Sequence, residues 1–159
     1  RNTNNEKINL LIDLITAIRS TRAEMNVPSK VKVNINYSNN SLLLDEVIKD
    51  HNDVILSLAK ADLIEKKDFS KNEGMVQVIF NDGLIYLALK GIIDFEKEKV
   101  RLEKSLIKIN EEVFKIQRKL EDKKFLNNAP EVIINEQNER IQNYLTSKQK
   151  IEKAIKAIE

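Results

Sequence analysis

The first part of the chain carries apolar residues at helical spacing. From Glu6 to about Asn26 they recur with a period close to the 3.6 residues of an amphipathic helix. These positions are Ile8, Leu11, Ile12, Ile15 and Ile18. We expect Pro28 to end this helix, because the residue before a proline is disfavoured in the helical region.

The pattern then changes to the alternation of a strand with one buried face. Its apolar positions are Val31, Val33, Ile35 and Tyr37. Asn39-Asn40-Ser41 indicates a turn and an N-cap, and the next helix is predicted to run to about Ala61. We expect a core-facing stripe on that helix, formed by Leu43, Val47, Val54 and Leu58.

A β-hairpin is predicted beyond this helix. Residues 75–80 and 84–90 have the composition of strands and flank Asn81-Asp82-Gly83. Asp-Gly between two apolar runs is a hairpin signal, because Gly tolerates a positive φ. A short strand is also predicted over residues 63–66, and Gly91 is expected to close this compact part.

From Ile92 the apolar pattern becomes a heptad repeat, with a and d positions alternately three and four residues apart. The first seam is Ile92, Phe95, Lys99, Leu102, Leu106, Ile109, Val113, Ile116 and Leu120. A weaker second seam is Gln137, Ile141, Tyr144, Lys148, Ile151, Ile155 and Ile158. Pro130 separates the two, since a helix does not run smoothly through a proline. Two such seams predict an antiparallel helical hairpin, roughly 40 Å long for about 28 residues per helix.

The predicted fold class is therefore α+β. A small helix–strand–helix–hairpin body, residues 1–92, is followed by a long antiparallel two-helix coiled-coil arm, residues 93–159. Within the body, we separate the first helix, residues 1–28, from a small α/β subdomain, residues 29–92.

Composition excludes several classes of site. The 159 residues include no Cys and one His, so no disulfide framework, thiol nucleophile, Cys-ligated zinc or His-pair metal site is possible. The isolated glycines form no P-loop or dinucleotide fingerprint, and no catalytic site or metal site is readable. His51 is expected to be a boundary residue of the second helix.

The same composition bears on location. No apolar run approaches the roughly 18 residues of a membrane span, and the start of the chain lacks the apolar segment of a signal peptide. We therefore expect a cytoplasmic chain with no membrane partner. The first residue is Arg rather than Met, which suggests a piece of a longer protein.

The net charge of +2 hides a sidedness on the first arm helix. The c and f heptad positions face away from the predicted seam, and six of these seven are basic. They are Lys97, Arg101, Lys104, Lys108, Glu111, Lys115 and Arg118. With Lys123 and Lys124 at the tip, the basic members form what we call the basic stripe, which can follow a nucleic-acid backbone by charge alone. A solvated coiled-coil surface is the alternative.

Three further features leave alternatives open. Val100, Ile107 and Phe114 occupy b positions and form an apolar ridge, which either docks a partner or packs on protein. Phe125 and Leu126 either plug the end of the hairpin or stack on a nucleobase. Arg19 and Arg22 on the first helix either pair with Asp13 and Glu24 at the surface or contact nucleic acid.

Several stretches in order resemble the C-terminal region of bacterial valine–tRNA ligases, the class I valyl-tRNA synthetases. Residues 15–28, ITAIRSTRAEMNVP, are similar to the final helix of the anticodon-binding bundle of that family. Residues 91–98, GIIDFEKE, with 101–104, RLEK, are similar to the start of its coiled-coil arm. Lys119-Leu120, Phe125 and Ala129-Pro130-Glu131 are similar to the turn of that arm.

The resemblance implies a tRNA-binding fragment whose arm lies along the outer corner of tRNA and positions it for ATP-dependent aminoacylation with valine. It implies a valine-acceptor tRNA as partner, a monomer, and ATP as cofactor of the full-length enzyme but none in these residues. The catalytic signatures of the family are absent, so its active and editing sites would lie elsewhere. The candidate tRNA-binding residues are Lys97, Arg101, Lys104, Lys108, Lys115, Arg118, Lys123, Lys124 and Phe125. A coiled-coil hairpin that binds a protein through the apolar ridge is the alternative function.

Overall fold

The computed structural model describes residues 3–38, 41–67 and 74–159. Its elements in chain order are α1 (Thr3–Glu24), β1 (Val33–Ser38), α2 (Leu42–Asp50), α3 (Asn52–Leu58), β2 (Ala61–Lys66), β3 (Met75–Val78), β4 (Leu84–Ala88), α4 (Phe95–Glu121), α5 (Lys123–Asn128) and α6 (Glu131–Ile158). The chain is thus mixed α+β, with a small sheet followed by long helices. It divides into a first unit that ends near Phe95 and a second unit from Glu96 onward.

Helix α1 confirms the first predicted helix but ends differently. Asn26 adopts a left-handed φ of 60°, and the Val27 N–H donates to the Arg22 carbonyl at 3.0 Å while the Asn26 N–H donates to the Ala23 carbonyl at 3.1 Å. This is a Schellman arrangement, which satisfies carbonyls at the helix end. The helix therefore ends at Glu24, before it reaches Val27, the residue whose conformation Pro28 restricts.

The buried face of α1 includes three of the five apolar positions that define its helical pattern, namely Leu11, Ile15 and Ile18. Leu14 and Ile18 are fully buried, whereas Ile8 and Ile12 are 45% and 54% exposed. The apolar surface of α1 is wider than one stripe, and its contacts with α2, α3 and β3 bury the side centred on Leu14. Ile8 and Ile12 fit the helical pattern but lie outside the buried face, because apolar spacing alone does not identify the centre of that face.

The first unit is built on a four-stranded sheet in the order β2-β1-β4-β3. Strand β1 pairs in parallel with β2, with Val33 opposite Ala61, and antiparallel with β4, with Ile35 opposite Leu87. Parallel neighbours require a crossover, and α2 and α3 supply it. The predicted alternation in β1 is confirmed, since Val33, Ile35 and Tyr37 are buried.

The predicted hairpin is confirmed as the antiparallel pair β3–β4, but its turn chemistry is not. The positive-φ glycines of the described residues are Gly74 and Gly91, not Gly83. Five residues, 79–83, separate the strands, and loops of this length are built around turns that need no positive φ at that position. The short strand predicted over 63–66 is confirmed within β2.

The second predicted helix is two helices, because the backbone leaves the helical region at His51, with φ −120° and ψ 26°. The break rotates the register, so Val54 and Leu58 are 43% and 48% exposed while Ile55 is fully buried. Of the predicted stripe, Val47 is buried and Leu43 only half-buried. The N-cap at Ser41 is confirmed, since its Oγ accepts the Leu44 N–H at 3.2 Å, while Asn39 and Asn40 lie outside the described residues.

The second unit consists of α4, α5 and α6. Helix α4 ends before Asp122, whose carboxylate accepts the Lys124 N–H at 2.9 Å and caps α5, and Pro130 precedes α6. None of the predicted seam residues of either repeat is exposed, and Leu102, Val113 and Ile116 are at most 8% exposed. Lys99 Nζ lies 3.5 Å from Glu159 Oε2, which joins the start of α4 to the residue after α6.

Candidate nucleic-acid interface

The basic stripe is exposed on α4 and α5. Every basic member lies at the surface, namely Lys97, Arg101, Lys104, Lys108, Lys115, Arg118, Lys123 and Lys124. Glu111 is the one acidic member of the outward positions and is also exposed. Position c and f residues recur at helical spacing on the side opposite a and d, so α4 holds the basic side chains along one side of a 27-residue helix.

Several stripe cations, among them Arg101, Lys115 and Arg118, contact residues within α4. Arg101 Nε donates to Glu98 Oε1 at 2.9 Å, and Arg101 Nη2 also contacts that oxygen. Glu98 is only 7% exposed, and its hydrogen bond raises the pKa of Arg101. Lys115 Nζ lies 3.5 Å from Glu112 Oε1, and the Arg118 guanidinium carbon lies 5.7 Å from the centroid of the Phe114 ring.

Other stripe members are available for an external anion. Within the described ranges, Lys104, Lys108, Lys123 and Lys124 have no carboxylate within ion-pair distance. An ammonium without a carboxylate partner can contact a phosphate without first breaking an ion pair, and phosphate contacts supply a large share of the affinity of nucleic-acid binding proteins. The stripe therefore combines held cations, such as Arg101, with unpartnered ones.

The tip places Phe125 beside a cation. Its ring is half-buried, and Lys119 Nζ lies 5.6 Å from the ring centroid. Leu126 is 39% exposed. The plug and the stacking functions of Phe125 both stay predictions.

The apolar ridge is exposed. Val100, Ile107 and Phe114 have 48%, 59% and 58% of their surface accessible. Position b adjoins position f around a helix, so the ridge borders the basic stripe on α4.

Arg22 has a different role from the predicted one. It is 6% exposed and donates from Nη1 to the Lys60 carbonyl at 3.1 Å and from Nη2 to the Pro28 carbonyl at 3.0 Å. Burial lowers its pKa. The surface ion pair predicted for Arg22 is therefore wrong, because the guanidinium bridges two loops from within. Arg19 remains exposed.

The described residues form neither a metal-binding cluster nor a membrane-spanning helix. No group of three or more His, Asp or Glu side chains is placed to hold a metal ion in that part of the chain. None of its helices combines the length and apolar character required to cross a bilayer. His51 lies half-buried at the α2–α3 junction.

Comparison with known proteins relates these helices to a family. Residues 94–159, which contain the whole basic stripe, match the family described as the valyl tRNA synthetase tRNA binding arm. The chain belongs to the valyl-tRNA synthetase family. It is 31% identical over 149 residues to the valine–tRNA ligase of Mesorhizobium japonicum, covering 93% of this chain and 16% of that protein.

The similarity extends beyond the arm. The valine–tRNA ligase of Agrobacterium fabrum is 36% identical over 135 residues, or 84% of this chain and 14% of its own length. That of Clostridium perfringens is 29% identical over 162 residues, or 98% of this chain and 18% of its own length. The chain thus spans less than a fifth of the curated relatives it matches. These relatives form an enzyme family, and they do not favour the alternative of a protein-interaction module.

Proposed function

We propose that this chain binds tRNA as the C-terminal arm region of a valine–tRNA ligase. The observation that carries the proposal is the exposed row of basic side chains on α4, within residues matched to the tRNA binding arm family. A helix of 27 residues at 1.5 Å each extends about 40 Å. Its basic stripe residues run from Lys97 to Arg118, a distance of about 32 Å along the helix axis, and a charged row of that length can contact several successive phosphates.

The proposal includes an antiparallel coiled-coil hairpin formed by α4 and α6. Two observations support it. None of the seam positions of either repeat is exposed, and Lys99 Nζ, near the start of α4, lies 3.5 Å from Glu159 Oε2, just after the end of α6. An antiparallel pair is the arrangement that short connections favour. The hairpin would hold the stripe on a rigid support, with Lys123, Lys124 and Phe125 at the tip.

The contribution to the reaction would be positional. Contacts with the outer corner of a valine-acceptor tRNA raise affinity and orient the distant acceptor end, so that binding energy assists a step elsewhere. ATP would be the cofactor of the whole enzyme, acting outside these residues. We further propose a cytoplasmic monomer, with residues 1–28 ending an anticodon-binding bundle, 29–92 a small subdomain and 93–159 the arm.

A charge-reversal titration tests the proposal. The arm variant carries Lys104→Glu, Lys108→Glu and Arg118→Glu, and fluorescence anisotropy measures its affinity for valine-acceptor tRNA at 50 and 200 mM salt. Each phosphate contact contributes about 0.7–0.9 to the slope of log affinity against log salt, so the arm variant should lose about 2–3 from that slope.

The control reverses three cations on the other long helix, Lys150, Lys153 and Lys156, which are also exposed. This control makes the same change in net charge and should lose less affinity than the arm variant. Equal affinity of the arm variant and the unchanged chain at both salt concentrations would refute the proposal.

A further inference from the structure

The first unit contains a continuous groove that the arm does not explain. One cavity of about 390 Å³ is lined by the end of α1 and the end of α3, and includes Arg19 and Lys60. A second, of about 600 Å³, is lined by the segments that lead into β1 and β2. Both include Ser29, Ser57 and Lys60 in their walls, so the two cavities adjoin and form one groove.

Parallel strand pairing assembles the rim of this groove. Val33 begins β1 and lies opposite Ala61, which begins β2. The residues that precede the two strands, Lys32 and Lys60, therefore lie at the same edge of the sheet although they are far apart in sequence. Lys30 and Ser29 come from the same segment before β1.

The groove is strongly basic. Arg19, Lys30, Lys32 and Lys60 line it and are all exposed. Within the described part of the chain, none of these four has an ion-pair or hydrogen-bond partner for its side-chain charge. The acidic side chain in its walls is Asp62.

A fifth cation lies in the wall. Arg22 lines the first cavity and is nearly inaccessible to water, and its guanidinium donates to the neutral carbonyls of Lys60 and Pro28. A buried charge without a carboxylate is weakly screened, so its field adds to that of the four surface cations. The hydroxyls of Ser29 and Ser57 are exposed and can donate to the oxygens of an anion.

The backbone of Lys60 is a second, independent feature. Its φ is 53°, a left-handed conformation that normally favours Gly after a helix end. A residue held in a sparsely populated conformation is a reason to look for a function. Here that conformation presents a lysine where both cavities meet.

We propose that this groove binds the phosphate backbone of RNA, as a second tRNA contact separate from the arm. The proposal rests on the proposed function in its choice of tRNA as the ligand. Rows of ammonium and hydroxyl donors along an open groove suit successive phosphates, which need charge and hydrogen bonds but no base readout. An acidic polypeptide is the competing ligand, and the family match to a tRNA-binding arm favours RNA.

The groove variant carries Lys30→Glu, Lys32→Glu and Lys60→Glu in the whole chain. Its control carries Lys49→Glu, Lys67→Glu and Lys90→Glu, exposed lysines of the same unit that line neither cavity. Both are titrated with valine-acceptor tRNA at 50 and 200 mM salt. Over this fourfold range each phosphate contact changes affinity by about threefold, so the groove variant should be about 30-fold less salt-sensitive if all three lysines contact phosphates.

The outcomes separate this proposal from the one on the arm. If the groove variant and its control bind tRNA with equal affinity and salt dependence, the groove proposal is wrong, whatever the result for the arm variant. If the arm variant binds tRNA as the unchanged chain does and the groove variant binds it more weakly, the arm proposal is wrong and the groove proposal stands. If poly-glutamate binds the unchanged chain but not the groove variant, while both bind tRNA equally, the groove prefers acidic polypeptides and the RNA proposal is wrong.

Lys60→Gly guards against a folding artefact. Gly relieves the positive φ, so this variant should melt at a higher temperature while binding tRNA with about threefold less salt sensitivity. Affinity and salt sensitivity equal to those of the unchanged chain would remove Lys60 from the site and overturn the proposal as stated.

Discussion

The strongest test of the first unit is Arg22→Met. Met has a similar length and helix propensity, so the change removes the guanidinium with little effect on α1 itself. Arg22 makes hydrogen bonds of 3.1 and 3.0 Å to the carbonyls of Lys60 and Pro28. Each bond from a charged donor contributes about 1.5–3 kcal/mol, which gives about 3–6 kcal/mol for the two.

Part of this energy offsets the cost of burying the charge. That cost amounts to several kcal/mol per buried ion, and Met does not incur it. Neither carbonyl is left bare, because the Val33 N–H donates to the Lys60 carbonyl at 3.1 Å and the Val31 N–H donates to the Pro28 carbonyl at 3.0 Å. We therefore expect Arg22→Met to lower the free energy of unfolding by about 1–3 kcal/mol.

Urea denaturation followed by circular dichroism measures the global effect, and amide hydrogen exchange at Val31 and Val33 measures it locally. The control is Arg19→Met, one turn earlier and exposed, for which a change within about 0.5 kcal/mol is expected. Equal stability of the two variants, with unchanged exchange at both amides, would refute the view that Arg22 joins the loops.

Three other predictions concern packing, capping and pH. Leu14→Ala should destabilise the chain by about 2–5 kcal/mol, and Ile12→Ala by much less, because Leu14 is fully buried and Ile12 is 54% exposed; equal losses in urea denaturation would contradict the register of α1. Ser41→Ala should cost about 1 kcal/mol by the same measurement, since it removes the acceptor of the Leu44 N–H, and Ser41→Asp should retain most of the stability. Burial raises the pKa of Tyr37, so the unfolded chain releases this proton at lower pH and the free energy of unfolding should fall as pH rises beyond about 10. The free energy of unfolding of Tyr37→Phe should fall less between about pH 8 and pH 11. An equal fall in both proteins would show that Tyr37 is not the cause.

Features that depend on local sequence were predictable. The alternation Val33, Ile35, Tyr37 identified β1 because one buried face leaves a period of two. The N-cap at Ser41 and the helix start after Pro130 follow from residues at those boundaries. Such signals act over one turn, so the rest of the fold does not alter them.

Features that depend on packing could not be predicted from the sequence. Ile12 satisfies a helical period as well as Leu14 does, and the contacts of α1 with the sheet unit decide which is buried. The break at His51 shifted the second half of a predicted stripe, so Val54 was assigned to the core and is 43% exposed. In both cases the spacing was helical and the direction of the core was the missing information.

The two proposed RNA surfaces show the same contrast in their charges. Residues on one side of α4 repeat at helical spacing, so the basic stripe could be recognised from the sequence before any fold was known. Lys32 and Lys60 have no such relation along the chain, and they meet because β1 and β2 pair in parallel from Val33 and Ala61. A basic groove of this kind is invisible to a scan for charge runs, and it follows only when the crossover through α2 and α3 returns the chain to the same edge of the sheet. Conformational propensity does not identify Lys60 either. The left-handed position after α3 favours Gly, and a lysine there suggests a binding function only once its place in the groove is known.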